Sequence, residues 1–494
     1  MSKILNFFDI VKNLKPILQE IIENRGKPYL VGGTVRDLVL ERETKDVDIE
    51  VHGISLGDLE KCLRKFGYVK LVGKKFGVLK LADYDVDWSL PRKDTKGRKP
   101  KVEIDPNMTI EQACKRRDLT MNAMAVDLEF ICKTLRQAQG ERVFCHFKKT
   151  KDSEFDLEKD LKIIDPYGGL QDIKEKKLKA VDTKLFLEDP LRFFRVMQFI
   201  GRFEMEPNKE LNDLCKSMDL YDATADLPLS KERVYEEIKK LFLKSKKPSL
   251  GFRWLHKIER LKEIFPELYE VVGVAQRPDY HPEGDVFEHT MQTLDAAAVL
   301  DKYENEDEKF LIMLGALCHD LGKAIATDED LHAKGHDKEG VALAKKLLKR
   351  FMNDKFLIDA SCKLVRYHTK PFLLLKQKSS LNAYKRLALK ISPELSLRQL
   401  ALVSLCDIRG RNPKGHEPLA DVYEDKFDEF MQKVKEAQLE KGPEKPVLLG
   451  RHLFEAVKPG PEMGKLLKEA YEIQIEEGIK DWEELRKRVL SSNK

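Results

Sequence analysis

Residues 30–40 read Leu30-Val31-Gly32-Gly33-Thr34-Val35-Arg36-Asp37-Leu38-Val39-Leu40, and a few residues on come Lys45-Asp46-Val47-Asp48-Ile49-Glu50-Val51. The apolar run Tyr29-Leu30-Val31 predicts a strand, and the paired glycines predict a turn into a helix. Glycine admits a ligand close to the backbone, and a helix N-terminus favours phosphate. That half of the stretch also fits a plain turn. The second half decides. Val47, Ile49 and Val51 alternate with Asp46, Asp48 and Glu50, so the strand carries an apolar row on one face and carboxylates on the other. Carboxylates side by side repel unless a cation sits between them, and oxygen ligands suit Mg²⁺. The apolar row argues against a solvated edge strand. Asp46 and Asp48 are therefore expected to hold Mg²⁺.

Outward from this point, Val78-Leu79-Lys80-Leu81 and Val86-Asp87-Trp88 predict further strands. Asp87 is a candidate third carboxylate, with Asp85 the competing choice two residues earlier on the same face. Three carboxylates can hold two Mg²⁺ ions, one activating a hydroxyl and one steadying a triphosphate. Residues 92–101 are basic and rich in turn formers, which predicts a mobile loop. Residues 132–159 read as a polar insertion between two strands, with no function assigned. Before the glycines, Phe7, Val11, Leu14, Leu18 and Ile21 follow a helical period and predict an amphipathic docking helix, which Pro16 is expected to split. Asp9, Lys12 and Lys15 interrupt the apolar stretch, so it is not read as a signal peptide. After Pro166 the pattern is helical to the C-terminus, broken at residues 278–285, 411–418 and 458–464.

The chain has 494 residues, 42% hydrophobic and 35% charged, enough for roughly three domains with real cores. A net charge of +5 on this length does not announce a nucleic-acid binder. No run of about 18 apolar residues appears, so no membrane partner is expected. The eight cysteines form no CxxC, which fits reduced thiols in a cytoplasmic protein.

Several motifs stand in a fixed order: Gly32-Gly33-x-x-Arg36-Asp37, Asp46-x-Asp48, VDWSLPR at 86–92 and KRRDLTMNAMA at 115–125. Together they resemble the head of the class II tRNA nucleotidyltransferase and bacterial poly(A) polymerase superfamily. The resemblance implies an α+β fold, with a mixed-sheet nucleotidyltransferase head followed by an all-α neck. Asp46, Asp48 and Asp87 would be catalytic. Gly32, Gly33 and Arg36 would cradle the triphosphate. Arg117, Asp118 and Asn122 would shape the sugar and phosphate side of the pocket.

LEDPLRFFRVMQF at 187–199 resembles the nucleobase-reading motif of that family, through Glu188, Asp189, Arg192 and Arg195. An ordinary helix start, with Asp189 as N-cap and Pro190 at the first helical position, explains the same residues. The chemistry supports the sharper role. Asp189 and Arg192 share a helix face. A carboxylate accepts from the amino group of cytosine or adenine, and a guanidinium donates to the ring nitrogen beside it. Guanine O6 and uracil O4 would meet Asp189 lone pair to lone pair, so GTP and UTP are expected to be rejected. LSKERVYEE at 229–237 resembles the last neck motif, with Arg233 and Glu237 expected to orient the reading helix.

A third set comprises His289, His319-Asp320 and Asp407, each in or at the end of an apolar helical segment. Histidine with carboxylate suits a transition metal, Mn²⁺ or Mg²⁺. The order H…HD…D resembles the HD-domain phosphohydrolases, in which these four residues ligate metal. His336 and His368 are candidates for a second metal or for phosphate, and Lys323 for a bound phosphate. His281 matches the segment that precedes the first ligand. Head, neck and HD domain in one chain resemble the multifunctional CCA-adding enzymes of bacteria.

The domains expected are an N-terminal helical segment (1–27), the head (28–168), a helical neck (169–270), an all-α HD domain (271–412) and a helical tail (413–494). The resemblance implies addition of C, C and A to tRNA from CTP and ATP, Mg²⁺ at the head, a divalent transition metal such as Ni²⁺ or Mn²⁺ at the HD site, and no obligate protein partner. It also implies hydrolysis of 2′,3′-cyclic phosphates, 2′-phosphates or phosphomonoesters by the HD domain. The alternatives are a poly(A) polymerase, a CC- or A-only enzyme, an HD hydrolase whose head only binds RNA, and a non-catalytic tRNA-binding protein.

Overall fold

The computed structural model describes residues 2–42, 47–72, 77–94, 102–137, 161–222 and 227–491. They form two compact units, Met1–Val234 and Tyr235–Lys494.

The first unit begins with α1 (Ser2–Glu23), which runs through Pro16 as one helix rather than two. Val11, Leu14, Ile17, Leu18 and Ile21 are buried on one face. That apolar stripe spans the proline and outweighs the backbone hydrogen bond it removes. There follow β1 (Lys27–Val31), α2 (Gly33–Val39), β2 (Val47–His52), α3 (Leu56–Arg64), β3 (Val69–Val72), β4 (Val78–Leu81) and β5 (Val86–Ser89). A seven-stranded sheet has the order β3-β4-β5-β2-β1-β8-β9, with β8 at Ala125–Asp127 and β9 at Ile163–Ile164. Every adjacent pair in it is antiparallel except β2 with β5, which is parallel.

That parallel pairing sets the site. Ile49 stands opposite Trp88, and Trp88 opposite Leu79 on β4. All three are fully buried. A slip of one residue would turn this apolar row outward, so the row fixes the register. The same register brings Asp48 level with Asp87 on the other face.

Two expected loops differ at their edges. β6 (Arg92–Asp94) and β7 (Val102–Ile104) pair as antiparallel strands, so the supposed loop at 92–101 has a strand at its start and another just after it, and residues 95–101 lie outside the described residues. The supposed insertion from 132 opens inside α5 (Leu128–Gln137), a helix whose apolar spacing continues past Cys132, and residues 138–160 lie outside the described residues. The helix Leu191–Phe203, which carries Arg192 and Arg195, buries nine of its residues.

The second unit is helical. Its centre is built from Val286–Val299, Glu306–Cys318, His336–Leu348, Lys355–Tyr367 and Leu397–Arg409. Two glycines allow close approaches. A Cβ on Gly322 would lie 2.0 Å from the His336 carbonyl oxygen, and one on Gly410 would lie 2.4 Å from Thr293 Oγ1. Further on, Pro461–Glu477 packs against Trp482–Ser491 around Met463, Leu466, Leu485 and Val489.

The helix Val286–Val299 is pinned by a buried polar contact. Ser249 donates to the Asp295 carboxylate from its backbone N–H (2.9 Å) and from Oγ (2.6 Å). Burial pushes the Asp295 carboxyl up to about 7, against the pull of those bonds. In the unfolded chain it would titrate near ~3.9. Between those values the folded protein holds the extra proton, so this contribution to stability is present at low pH and falls as pH rises to about 7. Urea midpoints of the wild-type protein should drop between pH 5 and pH 8 by more than those of Asp295→Asn, in which Ser249 still finds an acceptor; equal drops would show that Asp295 does not titrate there.

Candidate functional site

The first unit has a cavity of about 460 Å³, lined by Asp48, Glu50, Asp87, Arg92, Arg116, Arg117, Asp118, Asp189, Arg192, Arg195 and Arg233. Asp48 and Asp87 are register partners on β2 and β5. Lys80, opposite Asp87 on β4, holds its Oδ1 at 2.9 Å. Asp85 is exposed in the turn before β5 and is not part of the lining, so of the two candidates Asp87 is the one beside Asp48. Asp46 lies outside the described residues.

Glu50 continues the carboxylate row, and the motif reading passed it over. It is almost fully buried and contacts His52 Nε2 at 2.8 Å, whose Nδ1 contacts the Met108 carbonyl at 2.8 Å. Burial opposes its charge, but His52 and Arg117 outweigh burial and hold its pKa low. The signal for it was the period-2 alternation after Asp48.

Gly32 has φ +67°, and a Cβ there would lie 2.8 Å from an Arg117 terminal nitrogen. The glycine thus lets the chain turn under Arg117. Gly33, Arg36 and Asn122 do not line the cavity. Arg36 is buried: it donates to Asp37 Oδ1 (2.8 Å) and Asn122 Oδ1 (2.6 Å), and it lies over the Phe199 and Phe203 rings. The spacing Gly-Gly-x-x-Arg cannot tell a phosphate contact from such an anchor. Asn122 passes the tether on, donating to Asp118 Oδ1 at 2.9 Å. Asp118 also accepts from Arg195 Nε at 2.6 Å. Burial opposes its charge, yet Arg195 and Asn122 bring its pKa to about 2.

Asp189 and Arg192 both reach the cavity. Asp189 accepts from the Leu191 N–H (3.1 Å), the capping contact expected, although the regular helix starts only at Leu191. Its two oxygens also accept from Arg233 (3.1 and 3.2 Å). Arg192 donates to the Leu185 and Arg116 carbonyls at 2.7 and 3.0 Å. Each terminal nitrogen carries a second N–H, so the guanidinium is fixed in place with donors left over. Glu188 is not in the lining.

The second unit brings together His289, His319, Asp320, Asp407, His336 and His368. Among the described residues, His289, His319 and Asp407 form one cluster of metal-ligand type, and Asp320, His336 and His368 another. Nδ1 of His319, His336 and His368 each lies 2.8 Å from the backbone carbonyl three residues earlier. Nδ1 of His289 lies 2.7 Å from Glu283 Oε1 and 3.3 Å from the Gly410 carbonyl. With Nδ1 donating to these oxygens, the neutral form of each ring presents Nε2 as the acceptor, with its lone pair. Those lone pairs converge: His289 Nε2 and His319 Nε2 are 3.1 Å apart, and His336 Nε2 and His368 Nε2 are 3.5 Å apart. Asp407 Oδ1 lies 3.2 Å from His289 Nε2. Acceptors set against acceptors in a buried place fit a divalent cation.

Asp320 stands between the clusters. Its Oδ2 is 3.3 Å from His319 Nε2 and 3.5 Å from His289 Nε2, whereas its Oδ1 is 3.4 Å from His336 Nε2 and 3.8 Å from His368 Nε2. Burial opposes its charge, but Lys323 (Nζ at 2.6 Å) and His319 outweigh it and hold its pKa well below the usual range. Burial pushes His368 down to about 3, a neutral ligand. Arg411, one turn after Asp407, donates to Asp407 Oδ1 at 2.6 Å. The motif reading missed Arg411 and Glu283, because neither belongs to the H…HD…D pattern; only position in the fold brings them in.

Family models match three segments: a Poly A polymerase head domain at residues 28–179, a probable RNA and SrmB-binding site of polymerase A at 228–271, and an HD domain at 286–401. Head and HD domains of these kinds are metal-dependent. The multifunctional CCA protein of Pasteurella multocida is 34% identical over 400 residues, covering 78% of this chain and 84% of that protein. That of Neisseria meningitidis is 34% identical over 399 residues, covering 79% and 84%. Among solved structures, a CCA-adding enzyme in an apo form has a TM-score of 0.58 at 20% identity, covering 98% of this chain and 96% of that one. The Thermotoga maritima CCA-adding enzyme complexed with tRNA has a TM-score of 0.54 at 19% identity, covering 100% and 98%. At those identities the structures speak for the fold. The sequence relatives speak for more: the chain belongs to the multifunctional CCA protein family, with a poly(A) polymerase head and an HD domain on one polypeptide.

Proposed function

We propose that this protein adds C, C and A to tRNA 3′ ends from CTP and ATP without a nucleic-acid template, and that its HD domain hydrolyses phosphate esters. The observation that carries the first activity is a single cavity lined both by the Asp48–Asp87 pair and by the Asp189–Arg192 pair. Chemistry at a triphosphate and choice of a base are thereby within one nucleotide's reach. The 3′-hydroxyl of tRNA attacks the α-phosphate, and pyrophosphate leaves.

Asp46, Asp48 and Asp87 are the carboxylates for Mg²⁺, which when bound activates the hydroxyl and neutralises the triphosphate. Arg117, with Gly32 turned beneath it, and Arg195 face the phosphates and sugar. Asp118 fixes Arg195, while Arg36 and Asn122 hold Asp118. Gly33 opens the helix behind them. Asp189 accepts from the amino group of cytosine or adenine, and Arg192 donates to the adjacent ring nitrogen. Arg233 clamps Asp189 in that role. Basic groups on the neck (169–270) and tail (413–494) would hold the tRNA backbone, with affinity falling as salt rises.

At the HD domain (271–412), His289, His319, Asp320 and Asp407 hold one divalent cation, Ni²⁺ or Mn²⁺ by ligand type. In the second cluster, Asp320, His336 and His368 would hold a second cation. Lys323 and Arg411 supply positive charge for the phosphate. The substrates are 2′,3′-cyclic phosphates, 2′-phosphates or phosphomonoesters at RNA ends. No helix of the described residues is long and apolar enough to cross a membrane. The scattered cysteines, with no CxxC, support a reducing, cytoplasmic setting.

The deciding experiment supplies Mg²⁺, a tRNA lacking its 3′ end, and each labelled nucleotide alone and in mixture. Two C additions followed by one A, then arrest, are expected. An open-ended A ladder would make the protein a poly(A) polymerase, and C alone or A alone would mean a divided pathway.

Two substitution sets follow from the geometry. Asp48→Ala should lower nucleotide addition by at least about 10²–10³-fold while phosphate release by the HD domain persists, and Asp320→Asn should do the reverse. Loss of both activities in either variant would contradict two independent sites. Arg192→Ala removes a base contact worth about 1–3 kcal/mol, so CTP and ATP incorporation should fall about 10–100-fold relative to GTP and UTP. If all four nucleotides fall equally, Arg192 does not read the base.

A further inference from the structure

His319, His336 and His368 each fasten Nδ1 to the carbonyl three residues earlier, and His289 does not. The carbonyl at that distance from it, Val286, accepts from Thr290 Oγ1 at 2.8 Å. His289 Nδ1 is held instead by Glu283 Oε1 at 2.7 Å, with the Gly410 carbonyl farther off at 3.3 Å. Glu283 comes from the turn before the helix Val286–Val299, and its side chain is fully buried. The turn is fixed: Gly284 has φ +131°, and Asp285 caps the helix by accepting from the Glu288 N–H at 2.7 Å.

The same oxygen takes a second bond. His281 Nδ1 lies 2.9 Å from Glu283 Oε1, and the His281 and His289 rings meet edge to face with centres 4.7 Å apart. His281 Nε2 in turn accepts from Lys323 Nζ at 3.3 Å. The other two donors of that ammonium go to Gln276 Oε1 (2.7 Å) and Asp320 Oδ2 (2.6 Å). A donor on Lys323 leaves His281 one neutral tautomer, with its proton on Nδ1 and aimed at Glu283. Hydrogen bonds therefore run from Asp320 through Lys323 and His281 to Glu283, and from Glu283 to His289. His281, Glu283 and His289 are also close enough to hold an ion themselves. An ion on both Nδ1 atoms would set an Nε2–H of His281 against the Lys323 ammonium, so the trio reads as a hydrogen-bond junction. Glu283 Oε2 is buried with no partner. A bare buried oxygen costs stability, so packing alone would not place a carboxylate here. A metal-bound imidazole does call for one, because an acceptor on its far nitrogen fixes the ring and raises its basicity.

We infer that Glu283 is a positioning residue of the HD metal centre, orienting His289 directly and Asp320 through His281 and Lys323. The inference rests on the metal reading of the His289 cluster given above. His281 is not a ligand in this arrangement, since both of its ring nitrogens are in use. Glutamine at position 283 would keep the shape and lose the charge. Its amide nitrogen would either take the partnerless position or face the two Nδ1 atoms, where it would turn both rings to the wrong tautomer. The Gly410 carbonyl stays as a weaker acceptor for His289, so affinity for the ion falls rather than vanishes.

The test strips metal from the full-length protein and titrates it with Co²⁺ at fixed pH, reading the visible absorption of the imidazole-ligated ion. The HD-site ion is the one lost in His289→Ala. Glu283→Gln should raise its dissociation constant about 10–100-fold. His281→Ala should raise it by less, and the two effects should not multiply in the double variant, because both act through one circuit. Saturating Co²⁺ should restore phosphate release from p-nitrophenyl phosphate in Glu283→Gln, which a general loss of structure would not allow. Glu283→Asp keeps the charge and shortens the reach; it should fall between wild type and Glu283→Gln, and it decides the matter if the glutamine variant does not fold. An unchanged dissociation constant, effects that multiply, or release that excess Co²⁺ does not restore would overturn the inference. A wild-type protein that binds no ion sensitive to His289→Ala would refute the metal reading itself, and the inference with it.

Discussion

Groups that repel one another must be held together by something else, and in both halves of this protein that holder is apolar packing. Asp48 and Asp87 sit level on parallel strands because Ile49, Trp88 and Leu79 are buried in one row on the reverse face. The carboxylates did not choose that register and would not keep it alone. In the second unit, helices packed around buried leucines and alanines bring four imidazole nitrogens and two carboxylates to within a few ångströms. Each place is an electrostatic cost imposed by the fold, and each would be relieved by a cation.

The two centres differ in how the remaining charge is arranged. At the head, arginines and carboxylates line the same cavity, and several are locked in pairs: Arg195 with Asp118, Arg233 with Asp189. A nucleotide entering there meets donors and acceptors already oriented, which is what selection among bases requires. In the HD domain imidazoles and carboxylates are gathered in the ligand clusters, with Lys323 held to Asp320 and Arg411 to Asp407.

Much of this was legible in the sequence, for reasons that can be traced to particular residues. Val47, Ile49 and Val51 announced a strand with a polar face, and H…HD…D announced the helical metal site. The Asp85 or Asp87 alternative stayed open because both lie on one face of a period-2 pattern; pairing with β2 resolves it, and pairing is a long-range fact. Arg36 shows the converse limit. Its motif spacing is that of a phosphate contact, but Phe199 and Phe203, more than 160 positions away, cover it. Glu283 and Arg411 carry no motif at all and act on ligands far from them in sequence or one helical turn away. The later part of the helix Leu128–Gln137, from Cys132 on, falls in a segment that reads as polar, because composition there changes only after the helix is under way.

The carbonyl tethers on the histidine Nδ1 atoms have a thermodynamic consequence. Rings that are already turned inward lose little rotamer freedom when a cation arrives, so binding free energy is not spent on ordering them. The unfolded chain offers no such array. A cation bound there would act as a folding ligand for the second unit, each tenfold rise in its concentration above the dissociation constant adding about 1.4 kcal/mol to the native state. The fold of that unit is thereby coupled to the supply of free metal around it, independently of whether the site is turning over substrate.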